Sequence, residues 1–341
     1  MQERIPVFFT FDNNYVPQCG VTFESLLYNA HKSVFYDLYV ISDYISDENQ
    51  EKLHQIIEKY NNATLEIIIL NEDKINFHNN FSRQISDTVL TKEALYRCIP
   101  TLIKEFDKYD KIIYSDVDIV VMKDISQLFD IDLEDKYLAS FKTPAFLYFE
   151  TEHLDKKIRD QYFGGGLWIM NLKKMREDNL GGKILSIINN KELNLKWNEQ
   201  DIMNIACNGN VTYFSYEYVS LPHWYYELKD KDYYDEIYKN RELEDAMMRP
   251  AIIHYAGFKP WVKRSRPPRT YEIWYYYLRK TPFNHDFDDV YEYIESKIYR
   301  YKVRLFGFIP MGTVKLEGAV KNKIYIKLFN IIKLIKLEQI K

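Results

Sequence analysis

The chain opens on an apolar run, residues 5–11, that stops at Asp12-Asn13-Asn14, the pattern of a buried strand and its exit loop. Val21, Leu26 and Leu27 then follow helical spacing, and residues 36–41 give a second strand. Ser46, followed by Asp47 and Glu48, marks a helix start, with a capping hydroxyl and then acidic residues at the positive end of the dipole. That helix is expected to run to about Tyr60, followed by a third strand over 64–70, a long helix over 89–106 and a fourth strand over 111–115. Strands alternating with helices of about ten to fifteen residues predict βαβ units and a mostly parallel sheet.

The second half is less regular. Residues 138–141 and 167–170 have strand character, the latter after Gly164-Gly165-Gly166, while 173–189 and 199–207 have helical character. A short strand over 248–253 is expected to end in His254. There is no internal repeat.

Composition then narrows the class. With 46% hydrophobic and 28% charged residues in 341, the chain is globular, which excludes a disordered tail, a fibre and a polytopic membrane protein. A formal charge of -4 gives no reason to expect nucleic acid as partner. Cys19, Cys98 and Cys207 are odd in number and far apart, so free buried thiols in a reducing cytosol are expected. The N-terminal apolar run is too short for a signal peptide or a bilayer span, which again places the expected compartment in the cytosol.

Charge is unevenly distributed. From Ser296 to Lys341 eleven Lys and Arg face only Glu317 and Glu338, so this stretch carries 11 - 2 = +9 and the remainder -4 - 9 = -13. Ile324, Leu328, Ile331 and Ile335 fall on one helical face, with Tyr325 and Ile332 beside them. The expected organisation is an α/β domain over 1–285 and a basic amphipathic helical tail over 286–341. Such a tail predicts attachment to an anionic membrane surface, peripherally, on the inner face of the cytoplasmic membrane.

Open parallel sheets bind ligands at the carboxyl ends of their strands. Asp12 follows the first strand, and Asp116-Val117-Asp118 follows the fourth. In extended backbone Asp116 and Asp118 share a face while Val117 points away. Two such carboxylates repel unless a divalent cation neutralises them. His254 is followed by Gly257 and Lys259, which offer close backbone approach and a cation to a phosphate. Carboxylates, an imidazole and phosphate oxygens together favour Mn²⁺, with Mg²⁺ the other candidate.

Taken in order, Thr10-Phe11-Asp12-Asn13-Asn14-Tyr15, Leu95-Tyr96-Arg97, Asp116-Val117-Asp118, Gln200-Asp201 and His254-x-x-Gly257-x-Lys259-Pro260-Trp261 resemble the motifs of glycosyltransferase family 8. The resemblance covers roughly residues 5–285. It implies a GT-A-type α/β fold, a Rossmann-like mixed sheet flanked by helices. It also implies retaining transfer of a hexosyl unit from a UDP-sugar to a glycan or lipid-linked acceptor.

Matched residue by residue, the resemblance assigns Thr10, Asp12, Asn14 and Tyr15 to uracil and ribose, and Arg97 to orienting the donor. Asp116, Asp118 and His254 match metal ligands, with Asp116 and Val117 counted also in the donor-binding run. Gly257 and Lys259 match diphosphate contacts. Gln200 matches the glutamine near the anomeric carbon, and Glu199 is a conceivable nucleophile beside it, with front-face attack by the acceptor the preferred route. The chain departs from the family at Thr143, where an Asp is frequent, at Gly164-Gly165 in place of Asn-Ser or Asn-Ala, and at Glu199 in place of Asp. These departures lie where donor sugar and acceptor meet, and the small residues at 164 and 165 are expected to admit a bulkier, N-acetylated sugar. A sugar nucleotidyltransferase and a catalytically impaired relative are the alternatives.

Overall fold

A computed structural model describes residues 3–70, 84–85, 88–89, 92–144, 151–190, 192–193, 195–222, 241–257, 259–263, 270–296, 298–305, 309–317 and 335–340. The first elements are β1 (Glu3–Thr10), α1 (Val16–Asn29), β2 (Val34–Ser42), α2 (Asp47–Ile57) and β3 (Ala63–Ile69). Ser46 caps α2 as its sequence predicts, its side chain accepting from the Asn49 amide. A short pair, β4 (Gln84–Ile85) and β5 (Thr88–Val89), precedes α3 (Glu93–Tyr96), β6 (Lys111–Ser115) and β7 (Ile119–Val121).

After these come β8 (Leu138–Ser140), α4 (Lys156–Arg159), β9 (Leu167–Asn171), α5 (Leu172–Glu177), α6 (Leu180–Ile188), α7 (Asn198–Cys207) and β10 (Val211–Tyr213). The chain continues through α8 (Arg241–Met248), β11 (Ile252–His254), α9 (Tyr271–Leu278) and α10 (Asp288–Ser296).

Seven strands form one sheet in the order β10-β8-β9-β6-β1-β2-β3. β1 runs parallel to β2 and β6, and β2 parallel to β3, while β9 runs antiparallel to β6 and β8. Both faces are covered. Val7 and Phe9 enter one apolar cluster with α1, α2 and α9, and Phe8 between them enters a second with Tyr39, Tyr114 and Trp168. That two-sided burial explains why β1 is an unbroken apolar run rather than an alternating one. Cys19, Cys98 and Cys207 are all free and buried.

Three expectations about the catalytic region are corrected. The helix over 89–106 is replaced by α3 and two 3₁₀ turns, Pro100–Leu102 and Lys104–Phe106. Pro100 has no amide to donate and disfavours helical backbone at the residue before it; Ile99 takes φ -122, ψ 37. The helix over 173–189 is two helices, α5 and α6, separated at Asn179 in the left-handed region (φ 49). Met248 ends α8, and the strand before the candidate histidine is only Ile252–His254.

The tail is also corrected where it is described. β12 (Ile298–Leu305), β13 (Ile309–Glu317) and β14 (Ile335–Ile340) form a three-stranded antiparallel sheet, so Ile335 lies in a strand rather than a helix. The remainder of the expected helical face, Ile324, Leu328 and Ile331, lies outside the described residues. Among the described residues no helix is long and apolar enough to cross a membrane.

Candidate active site

β1 and β6 are parallel neighbours, so the segments leaving their carboxyl ends, Asp12–Tyr15 and Asp116–Asp118, emerge along the same sheet edge. β11 pairs antiparallel with β7, with His254 opposite Ile119, and this register sets the imidazole beside the carboxylates. The Tyr255 amide donates to Asp118 O (2.8 Å) and the His254 amide to Ser220 O (2.8 Å), fixing the same approach through the backbone.

The turn between β6 and β7 is held from beneath by α1. Thr22 Oγ1 donates to Val117 O (2.8 Å) and Ile119 O (3.0 Å), and the Val121 amide donates to Ser25 Oγ (3.0 Å). Val117 is buried in the core; residues 117–118 form a bend, so strand alternation does not apply there. Its carbonyl is committed to Thr22, so its side chain and carbonyl serve the scaffold.

The ligating atoms of Asp116, Asp118 and His254 lie within 4.8 Å of one another. His254 Nε2 is 3.0 Å from Asp118 Oδ1 and 3.5 Å from Asp116 Oδ2. Asp116 Oδ1 is held by Arg97 Nη1 at 2.7 Å and by the Tyr114 hydroxyl. Lys259 Nζ pairs with Asp118 Oδ2. Asp118 Oδ1 is buried with no hydrogen bond, so its nearness to His254 is not an aligned donor–acceptor contact. A buried carboxylate oxygen without an aligned hydrogen bond, facing a ring nitrogen and a second carboxylate, is a donor set that fits a hard divalent cation.

Electrostatics follow the same geometry. Burial works against charge on Asp118, but Lys259 and His254 outweigh it and hold the carboxyl below the usual range. Burial opposes charge on Asp116 as well, and Arg97, with His254, keeps it low. Burial pulls the His254 imidazole down, whereas Asp118 and Asp116 push it up more strongly, to about 9. Glu199 goes the other way. Burial pushes its carboxyl up, and Arg97 at 3.6 Å offsets this only in part.

The glycine run passes directly against the cluster. Gly166 has φ +93, and a β-carbon there would lie 2.3 Å from His254 Cε1 and 3.1 Å from Asp116 Oδ2. Only glycine lets this backbone pass so near the cluster. The Gly166 carbonyl accepts from the Asp116 amide (2.8 Å). Gly165 N–H donates to Gln200 Oε1 (2.9 Å), bringing the start of α7 against the run. Asp201 is wholly buried and accepts from the amides of Lys196 and Trp197 (2.7 and 2.9 Å), Tyr162 OH (2.6 Å) and His153 Nε2 (2.7 Å). It therefore anchors the helix that carries Glu199 and Gln200.

One specificity expectation is overturned here. Gly164 does not open the site to a bulkier sugar, because a β-carbon at 164 would fall 1.8 Å from Phe141 Cζ. The ring has taken the space. A β-carbon at Gly165 would lie 3.1 Å from Gln200 Oε1, a tight approach rather than an overlap. Thr143 is buried, and its amide donates to Tyr162 O (2.9 Å).

The remaining candidates line the neighbouring edge. Thr10 is buried at the end of β1. Asp12 Oδ1 caps the following 3₁₀ turn by accepting from the Asn14 amide (2.8 Å), and Asn14 is exposed. Tyr15 meets Trp261 edge-on (centroids 6.3 Å apart), and Lys259 lies 5.7 Å from the Trp261 ring. Gly257 sits in the bend between His254 and Lys259. Sequence reasoning missed Thr22, Tyr114 and Gly166. Gly166 had a signal, since it directly precedes a strand in a glycine run; Thr22 had none.

These features define an α/β protein with a carboxylate–imidazole cluster at the carboxyl edge of a mixed sheet. A sequence profile for glycosyl transferase family 8 matches residues 6–265, and the chain belongs to that family. It is a glycosyltransferase with a GT-A fold. It is 28% identical over 281 residues to general stress protein A of Bacillus subtilis, covering 80% of this chain and 92% of that one. It is 29% identical over 264 residues to lipopolysaccharide 1,2-glucosyltransferase of Escherichia coli K12, covering 76% and 74%. The galactosyltransferase LgtC, solved with donor and acceptor sugar analogues, superposes with TM-score 0.63 at 22% identity, covering 82% of this chain and 96% of that one.

Proposed function

We propose that the protein moves a hexosyl unit from a UDP-sugar, UDP-glucose or UDP-galactose, to a glycan or lipid-linked acceptor, with retention at the anomeric carbon. The observation that carries this is the convergence of Asp116, Asp118, His254 and Lys259 on one point at the sheet's carboxyl edge. Relatives named as a lipopolysaccharide 1,2-glucosyltransferase and a lipopolysaccharide 1,3-galactosyltransferase support the substrate class.

Asp116, Asp118 and His254 would hold Mn²⁺, or Mg²⁺ in its place, and that ion supplies Lewis-acid stabilisation to the departing diphosphate. Lys259 adds fixed positive charge for the same phosphates. Asp12 spends Oδ1 on its own turn, which leaves Oδ2 for the uracil imide, and Tyr15 stacks on the base. Arg97, held between Asp116 and Glu199, keeps the carboxylate of Asp116 ionised and oriented. Gln200 gives its oxygen to Gly165, which fixes its side chain against the glycine run at the edge of the donor site. The acceptor hydroxyl attacks from the face that the diphosphate leaves, and its proton passes to a phosphate oxygen of the leaving group.

The test is release of UDP from a panel of UDP-sugars in the presence of Mn²⁺. No release above hydrolysis in buffer from any hexose donor, with a suitable range of acceptors, defeats the reading. The basic stretch 296–341 supports a second element of the proposal, that the enzyme works at an anionic membrane surface where a lipid-linked acceptor resides.

A further inference from the structure

In the site as it stands, both carboxylates are already neutralised by protein cations. Arg97 Nη1 lies 2.7 Å from Asp116 Oδ1, and Lys259 Nζ pairs with Asp118 Oδ2. The two pairs differ in freedom. Arg97 is 8% exposed, sits 4.8 Å from the Tyr114 ring and reaches Glu199 as well, so it is fixed on three sides. Lys259 holds Asp118 by a single ammonium, 5.7 Å from the Trp261 ring, on a flexible four-carbon stem. Arg97 takes the Asp116 oxygen that faces away from His254, whereas the oxygen toward the imidazole, Oδ2, is left for a metal.

We propose that Lys259 is a tethered stand-in for the metal: its ammonium holds Asp118 until a divalent cation takes that carboxylate, and the freed ammonium then goes to the donor diphosphate. Metal and nucleotide therefore bind cooperatively. The inference rests on the reading of the site as a metal and UDP-sugar site, and it adds a binding order to it. Charge makes the argument. The carboxylates already face Arg97 and Lys259, so a divalent cation entering alone leaves a surplus of positive charge in a buried pocket. A diphosphate removes that surplus and gives Lys259 a new partner. Each ligand thus lowers the cost of the other, and the coupling must be reciprocal.

The experiment titrates Mn²⁺ into the full-length protein, reading free Mn²⁺ by electron paramagnetic resonance, with and without UDP, for wild type, Lys259→Gln and Lys259→Arg. In wild type, UDP should tighten Mn²⁺ binding about fivefold or more. Lys259→Gln should bind Mn²⁺ alone about fivefold or more tighter than wild type, and UDP should add less. Lys259→Arg keeps a cation and should bind Mn²⁺ alone as weakly as wild type. A lysine that only touches phosphate has no effect when no nucleotide is present. Unchanged or weaker Mn²⁺ binding by Lys259→Gln without UDP, in a variant with a normal thermal transition, overturns the proposal. Equal tightening in both variants overturns it too. If wild type takes up no Mn²⁺ even with UDP, the metal reading of the site fails, and the proposal with it.

Discussion

The ring of Phe141 occupies the volume that any side chain at residue 164 would need, with Phe141 Cζ only 1.8 Å from where a β-carbon would stand. The pair is held in place by the Gly164 amide donating to Phe141 O (3.0 Å) and by Trp168 Nε1 and Ser140 Oγ donating to Gly164 O (2.8 and 2.9 Å). Gly164→Ala alone should cost about 1–3 kcal/mol or more from overpacking. Phe141→Ala alone should cost about 3–5 kcal/mol as a cavity. The double variant should be more stable than the sum of the two predicts, because each change relieves the other. Urea unfolding of the four proteins measures the coupling, and strict additivity would show that the ring moves aside freely.

A second expectation concerns protons. In the metal-free protein His254 is protonated at neutral pH, since its carboxylate neighbours outweigh burial and raise it to about 9. The sign is that of a raised histidine: its contribution to stability is full below about 6.5 and is lost as pH rises through about 9. A metal ligand must be the neutral imidazole, so Mn²⁺ uptake at pH 7 should release about one proton. Apparent affinity should rise about tenfold per pH unit toward 9. Calorimetry in buffers of different ionisation enthalpy counts the proton, and a count of zero at pH 7 would show that metal uptake does not displace a proton from His254.

The membrane expectation can be separated from the fold of the tail. Residues 296–341 carry +9, and each Lys or Arg near an anionic surface contributes about 1 kcal/mol. Full-length protein should pellet with phosphatidylserine vesicles at low salt and be released as salt rises. A chain ending at Glu295 should stay in solution. Equal pelleting of the two would assign the binding to residues before 296.

Much of the site was legible because its residues stand at strand ends. The apolar run over 5–11 and the Lys-Ile-Ile-Tyr strand announce where Asp12, Asp116 and Asp118 must emerge. The ligating atoms of Asp116 and Asp118 do lie together, but through a bend at 117–118 rather than through the strand alternation that the sequence suggested. What the sequence hid are groups whose role depends on tertiary approach. Thr22 is one threonine on a buried helix face, and nothing local says that the carbonyls of Val117 and Ile119 come to meet it. Gly164 could be read as space only until Phe141, 23 residues earlier, was seen to fill it. The broken helices at Pro100 and Asn179 were local signals that periodicity overrode.

Glu199 gives the last prediction, because it sits in the site at a cost to the fold. Burial pushes its carboxyl above the usual range, and Arg97 at 3.6 Å recovers only part of that. A group raised in the folded state favours folding fully below its unfolded pKa, about 4.3, and that advantage is lost as pH rises through the folded value. At neutral pH the ionised Glu199 therefore weighs against the native state. Glu199→Gln should raise the thermal midpoint at pH 7 to 8, and the gain should fade as pH falls toward about 4, where wild type is protonated too. The same variant should lose transferase activity if the carboxylate, next to Gln200 and in reach of Arg97, acts on the donor sugar; stability gained as activity is lost is the mark of a functional rather than a structural charge. Thermal scans of both proteins across pH 4 to 8, with UDP release measured at pH 7, test the two halves. A Glu199→Gln protein less stable than wild type at pH 7 would mean that the Arg97 pair outweighs desolvation.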